Sequence, residues 1–189
     1  MFNGESLISR IGELYDKMDS AYAAAAKRID LTCEGCDGVL CCTVDLTVHT
    51  FVEMSYLRQG FYALDPLMQS EILTKSRRMV SAKQQAPKGD EYRSAVCALN
   101  SAGACVLYQY RPMICRLAGV PHFFIRPNGS KSESGGCKKF DESIPAKNSG
   151  EILDRTEFYR EMAAMEIEAV IARGERTEKL TIAEILVSS

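Results

Sequence analysis

The sequence predicts a mainly α protein whose helices pack around an irregular cysteine-rich region containing a short β-hairpin. Three observations predict it. Apolar residues recur at helical spacing near both ends of the chain, two T-x-x-E pairs mark helix starts, and all eight cysteines lie between positions 33 and 137. A chain of 189 residues fits one domain, 1–189, and is long enough to bury a core without covalent staples. Within it, 1–30 reads as an N-terminal helix, 31–140 as the cysteine region and 141–189 as a C-terminal helical segment.

In the first helix, from Ser6 to about Ile29, Leu7, Ile8, Ile11, Leu14, Tyr15 and Met18 repeat every three or four residues, and Ala21 to Ala26 adds strong helix propensity. Leu31 to Cys42 is rich in Gly and Cys without periodicity, which predicts a compact loop. Thr50 and Glu53 form a capping box that starts a helix running towards Gly60. Asp65-Pro66 opens another, to about Ala82, with Pro in the first helical position where its missing N–H costs nothing. QQAPKGDEY reads as an exposed connection. VCALNSAGACVLY predicts a hairpin with Ser101, Ala102 and Gly103 at its tip; a three-residue loop would set Cys97 and Cys105 on one face, and a four-residue loop would separate them. From Gly119 to Lys139 the prolines and glycines predict irregular backbone, with PHFFI as a short strand. Ser149 caps the expected last long helix. Ile152, Leu153, Tyr159, Met162, Ala163, Ile167, Val170 and Ile171 line one side of it until Gly174 ends it. Thr181 and Glu184 repeat the capping box in the tail.

Bulk composition narrows the function. A net charge of −2 gives no global attraction to nucleic acid. The basic trio Lys75, Arg77 and Arg78 lacks interleaved aromatics and reads as solvated helix surface. No stretch approaches the roughly 20 apolar residues that span a bilayer, and Glu5, Glu13, Asp16 and Asp19 interrupt the N-terminus where a secretory signal needs an uncharged core. The cytoplasm is the expected address, with neither nucleic acid nor membrane as partner. In a reducing compartment grouped cysteines are ligands or redox groups rather than disulfides, and their clustering with Gly and Arg argues against inert core packing.

Cys33, Cys36, Cys41 and Cys42 form a C-x2-C-x4-C-C run. The C-x2-C spacing lets two sulfurs converge on one ion, and Gly35 keeps the loop clear of a side chain. Cys97, Cys105, Cys115 and Cys137 form the second group, with Tyr108, Arg111, Pro112 and Arg116 inside it. Pro112 can open a helical turn whose free N–H groups favour a Cys115 thiolate. Arg111 and Arg116 are candidates to offset the net charge of about −2 that four thiolates leave on a divalent ion; the plainer reading is a solvated or carboxylate-paired surface position. His49 and His122 are candidate imidazole ligands, weighed against ordinary hydrogen-bonded histidines. The phenylalanines after His122 and the methionines of MAAMEIEAV read as core.

The order C-x2-C-x4-C-C, then C-x7-C-x2-Y-x2-R-P-x2-C-R, then a final Cys, resembles the YkgJ-type cysteine-cluster family, described as a zinc- or iron-chelating domain. The resemblance spans Cys33 to Cys137. It implies that Cys33, Cys36, Cys41, Cys42, Cys97, Cys105, Cys115 and Cys137 are the functional positions, supported by Tyr108, Arg111, Pro112 and Arg116. It does not imply a catalysed reaction. Related cysteine regions occur in flagellin lysine methylases, but no glycine-rich nucleotide loop is present to support such an activity.

Soft thiolates select zinc, copper(I) or iron–sulfur clusters, so the expected cofactor is zinc or iron, the latter including an iron–sulfur cluster. The leading expectation is a non-catalytic or accessory metal-binding protein. An iron–sulfur redox or protein-modification component, and an interaction adaptor stabilised by metal, are the alternatives. Eight thiols divide into two groups of four, and the sequence leaves the grouping open.

Overall fold

The structure is a computed structural model that describes residues 4–29, 31, 42, 47–85, 96–137, 152–174 and 178–188. Helix takes 62% of the described residues and strand 11%, which makes the fold mainly α with small sheets. The chain divides into two compact units, each assembled from two separate stretches: Met1–Cys36 with Met113–Glu168, and Asp37–Pro112 with Ala169–Ser189.

In the first unit, α1 (Gly4–Arg28) buries Leu7, Ile11, Leu14, Tyr15, Met18, Ala25 and Ala26, the face its three- and four-residue spacing predicts. The short α2 (Met113–Arg116) packs on it and contributes Met113 and Arg116 to the buried side. A three-stranded sheet follows, in the order β2-β1-β3, from β1 (His122–Ile125), β2 (Lys131–Ser134) and β3 (Leu153–Asp154). β1 and β2 form an antiparallel hairpin in which His122 faces Ser134 and Ile125 faces Lys131, while β3 runs parallel to β1. Regular pairing thus replaces much of the irregular backbone expected between Gly119 and Lys139. The hairpin tip closes where the Arg126 N–H bonds the Ser130 carbonyl, with Gly129 at φ +81°. Phe123 and Phe124 are half-buried rather than core; Lys131 Nζ sits 4.4 Å from the ring centre of Phe123, and Phe124 packs on Tyr159.

The last long helix, α3 (Thr156–Arg173), begins later than expected. Ile152 precedes it and Leu153 belongs to β3, so neither lies on its face. Asp154 caps its start by accepting the Thr156 N–H at 2.8 Å. Ser149 lies outside the described residues. Met162, Met165 and Ala169 form the buried stripe, whereas Ala163, Ile167 and Ile171 are exposed. Gly174 ends the helix at φ +73°, its N–H bonding the Val170 carbonyl.

The second unit contains α4 (Phe51–Tyr62), α5 (Pro66–Gln85) and α6 (Ile182–Val187). Both predicted capping boxes are formed, with Thr50 and Thr181 accepting from the N–H of Glu53 and Glu184. α6 packs along α5, where Ala183 joins Met79 and Ala98, and Lys83 pairs with Glu184 at 2.6 Å. Lys75, Arg77 and Arg78 are exposed on α5, as their composition suggests. Of the expected exposed connection, Gln84 and Gln85 belong to α5 and 86–92 lie outside the described residues. The hairpin of β4 (Asn100–Ser101) and β5 (Ala104–Cys105) pairs Asn100 with Cys105 and Ser101 with Ala104. Its tip is therefore two residues, Ala102 and Gly103, rather than the expected three; both have positive φ, 50° and 85°, as a type I′ turn requires. Cys97 precedes the ribbon in a turn, with its carbonyl accepting the Asn100 N–H, so it does not share a strand face with Cys105.

Candidate metal centre

Five of the eight predicted ligands are described: Cys42, Cys97, Cys105, Cys115 and Cys137. Cys33, Cys36 and Cys41, with the glycine-rich loop that carries them, lie outside the described residues. No disulfide links any two of the five, which accords with thiols kept available for other bonds.

Three of them lie in the second unit on chain segments joined by hydrogen bonds, although 63 positions separate the first from the last. The Cys97 N–H bonds the Cys42 carbonyl at 2.8 Å, tying the two chain segments together at the backbone. Three residues on, Asn100 aims its side-chain amide at Cys42, Nδ2 to Sγ 3.2 Å. The same side chain uses its oxygen to accept the Gly103 N–H at 3.2 Å, so the hairpin turn holds Asn100 in place. Cys105 sits directly across the ribbon from Asn100. Burial pushes the Cys105 thiol up from its usual range; the Leu107 backbone N–H bonded to it and the charge of Arg111 oppose this, while Cys42 adds to it. Two N–H groups thus point at sulfur, one at Cys42 and one at Cys105. Hydrogen bonds of this kind favour the thiolate over the thiol.

Arg111 is braced by its own neighbourhood. Its Nε donates to the Tyr108 carbonyl at 2.8 Å and its guanidinium carbon stands 3.5 Å from the centre of the exposed Tyr108 ring. The R-P element therefore carries a positive charge that acts on Cys105. Arg116 has a different role. It pairs with Asp19 of α1 at 2.5 Å and lies over the Tyr15 ring, so it is carboxylate-paired as in the plainer reading, but buried rather than at the surface.

Cys115 and Cys137 lie in the first unit. Cys115 is the third residue of α2, after Met113 and Ile114. Cys137 returns to the far end of the following turn, where its N–H bonds the Gly119 carbonyl at 3.0 Å. Gly136 is required there: a Cβ would stand 2.5 Å from the Gly119 oxygen, and its φ is +93°. Arg155, which the sequence reading missed, braces the same turn by donating to the Leu117 carbonyl from a fully buried position. Burial lowers its pKa to about 10, and its Nε has no hydrogen-bond partner among the described residues.

The histidines are structural in their contacts. His49 is buried, its N–H bonds the Leu180 carbonyl, and burial lowers its pKa against the pull of Glu53 at 3.9 Å. His122 sets Nδ1 3.2 Å from the Val120 carbonyl, and burial followed by the charge of Arg155 lowers its pKa.

Among the described residues no three His, Cys, Asp or Glu side chains are grouped closely enough to hold a metal ion. The described cysteines offer sulfur, the donor type that soft metals take, without three of them meeting in one site. No helix among the described residues is long and apolar enough to cross a membrane. Comparison of the chain with protein-family models, with curated proteins and with solved structures finds no match. The likeness to the YkgJ-type cluster rests on the cysteine, tyrosine and arginine–proline motif alone.

Proposed function

We propose that this chain is a metal-binding protein of the YkgJ type that uses thiolates to hold zinc or iron, in a non-catalytic or accessory role in the cytoplasm. The observation that supports it best is the joining, through Asn100 and backbone bonds, of the segments that carry Cys42, Cys97 and Cys105, with N–H groups directed at two of the sulfurs. Buried apolar packing of cysteine has no use for such donors, whereas a thiolate bound to metal retains excess negative charge that they offset. The ligands in this reading are Cys42, Cys97, Cys105, Cys115 and Cys137, together with Cys33, Cys36 and Cys41 from the sequence pattern. Bound zinc would fix these segments in a tetrahedral frame with no vacant position for chemistry.

An iron–sulfur centre is the second reading, and the Asn100-to-Cys42 bond favours it, because hydrogen bonds to cluster sulfur are one means by which proteins set a reduction potential. Such a centre would pass electrons or support modification of a partner protein. Elemental analysis and visible absorption of protein purified without air distinguish the two. Zinc in stoichiometric amount with a colourless sample supports the first reading, and iron with thiolate-to-iron charge-transfer bands supports the second. Protein that binds neither metal, with all its thiols titratable, rules out both.

A further inference from the structure

Away from the cysteine segments, the first unit carries a cleft of about 570 Å³ between the end of β1 with its turn and the first turns of α3. That volume falls in the range of small-molecule sites, about 300–1,000 Å³. Its walls are almost wholly apolar, built from Phe124, Pro127, Tyr159 and Ala163, and include no cysteine. Backbone bonds hold both sides in place. The Arg126 N–H bonds the Ser130 carbonyl and the Gly129 N–H bonds the Arg126 carbonyl, each at 2.8 Å, which fixes the turn. The Ile125 N–H donates to the Thr156 hydroxyl at 3.0 Å and ties the strand to the start of α3. Phe124 and Tyr159 pack together with ring centres 4.4 Å apart.

Two arginines border this apolar space, and they differ in their partners. Arg160 pairs with Glu157 at 2.6 Å. The Arg126 side chain bonds the neutral Ser132 hydroxyl at 3.3 Å, and its guanidinium carbon stands 5.9 Å from the Phe124 ring centre. Among the described residues no carboxylate pairs with Arg126. The Asp154 carboxylate is engaged at the helix start by the Thr156 N–H and hydroxyl. A guanidinium without a counter-ion, next to aromatic rings, suits a ligand with one carboxylate and an aromatic body. The planar fork matches two carboxylate oxygens, and the ligand ring packs on the rings of the wall.

We propose that this cleft binds a small aromatic carboxylate, its ring against Phe124 and Tyr159 and its carboxylate on Arg126. No thiol takes part, so this binding is separate from any metal binding.

Calorimetric titration of the full chain with 2-naphthoate tests it. The neutral probe of the same shape is 2-naphthylmethanol; decanoate and 2-naphthyl phosphate vary the body and the head group. Naphthoate should bind one per chain, at least about tenfold more tightly than the alcohol, the scale of a hydrogen bond to a charged group. It should also bind more tightly than decanoate and the phosphate. Arg126→Gln should bring naphthoate down to the affinity of the alcohol and leave the alcohol unchanged. Glu157→Gln, which frees Arg160, should tighten naphthoate. Ala163 is exposed on α3, so Ala163→Trp should keep the native unfolding midpoint while filling the cleft and abolishing both naphthoate and alcohol binding. Naphthoate binding that survives either Arg126→Gln or Ala163→Trp overturns the site, as does the lack of saturable binding in the native chain. Equal affinity for naphthoate and the alcohol, or tighter binding of decanoate or the phosphate, overturns the ligand class.

Discussion

Removing the Asp19 carboxylate takes a charged partner from the buried Arg116 guanidinium, which lies over the Tyr15 ring. Asp19 is 39% exposed, so solvent takes up part of that loss. Asp19→Ala should lower folding stability by about 2 kcal/mol, the scale of a hydrogen bond to a charged group. It should show as a lower denaturation midpoint at unchanged slope, with metal content unaffected. His49 gives a pH-dependent effect of known sign. Burial lowers its folded pKa below the usual value, so the unfolded chain takes up this proton first as pH falls. The contribution of His49 is complete above about pH 6.5 and declines as pH drops through that value towards the folded pKa. Thermal unfolding followed across roughly pH 5 to 7 should lose less stability in His49→Gln than in the native chain. Equal slopes would contradict the assignment.

The elements legible in the sequence are those whose signals are local. The T-x-x-E pairs at Thr50 and Thr181 place two helix starts because a hydroxyl and a carboxylate three residues apart satisfy free N–H groups whatever surrounds them. Leu153–Asp154 was not legible, because a two-residue strand exists only through pairing with His122 and Phe123 some thirty positions earlier. The hairpin tip was read one residue too long for a different reason: alanine rarely accepts positive φ, so nothing marked Ala102-Gly103 as a two-residue turn with Ser101 already in the strand. Ala102→Gly should therefore stabilise the chain, by about 1 kcal/mol in thermal or chemical unfolding. Gly60 makes the opposite case. A Cβ there would stand 2.3 Å from the Tyr110 ring, in the turn that precedes Arg111. Gly60→Ala should cost about 1–3 kcal/mol by overpacking, and a smaller residue at Tyr110 should recover part of it in a double-mutant cycle.

For the whole molecule, residue type and order single out the cysteines as candidate residues, while their placement in the fold was not legible. Asn100 carries no signal of its own. It lies in the seven-residue gap between Cys97 and Cys105, and its value arises only once the hairpin brings it to Cys42. If thiolate-bound metal joins segments remote in sequence, its removal should lower the thermal midpoint of the chain. An identical midpoint after verified demetallation would count against that coupling.

The two units exchange chain three times, after Cys36, Pro112 and Glu168. A nascent polypeptide leaving the ribosome therefore cannot finish the second unit until its final residues emerge. His49 waits for Leu180, and α5 for Ala183, across more than a hundred positions of intervening synthesis. A stalled or shortened product that lacks Ala183 would present Met79 to water, a ready target for chaperones and proteases.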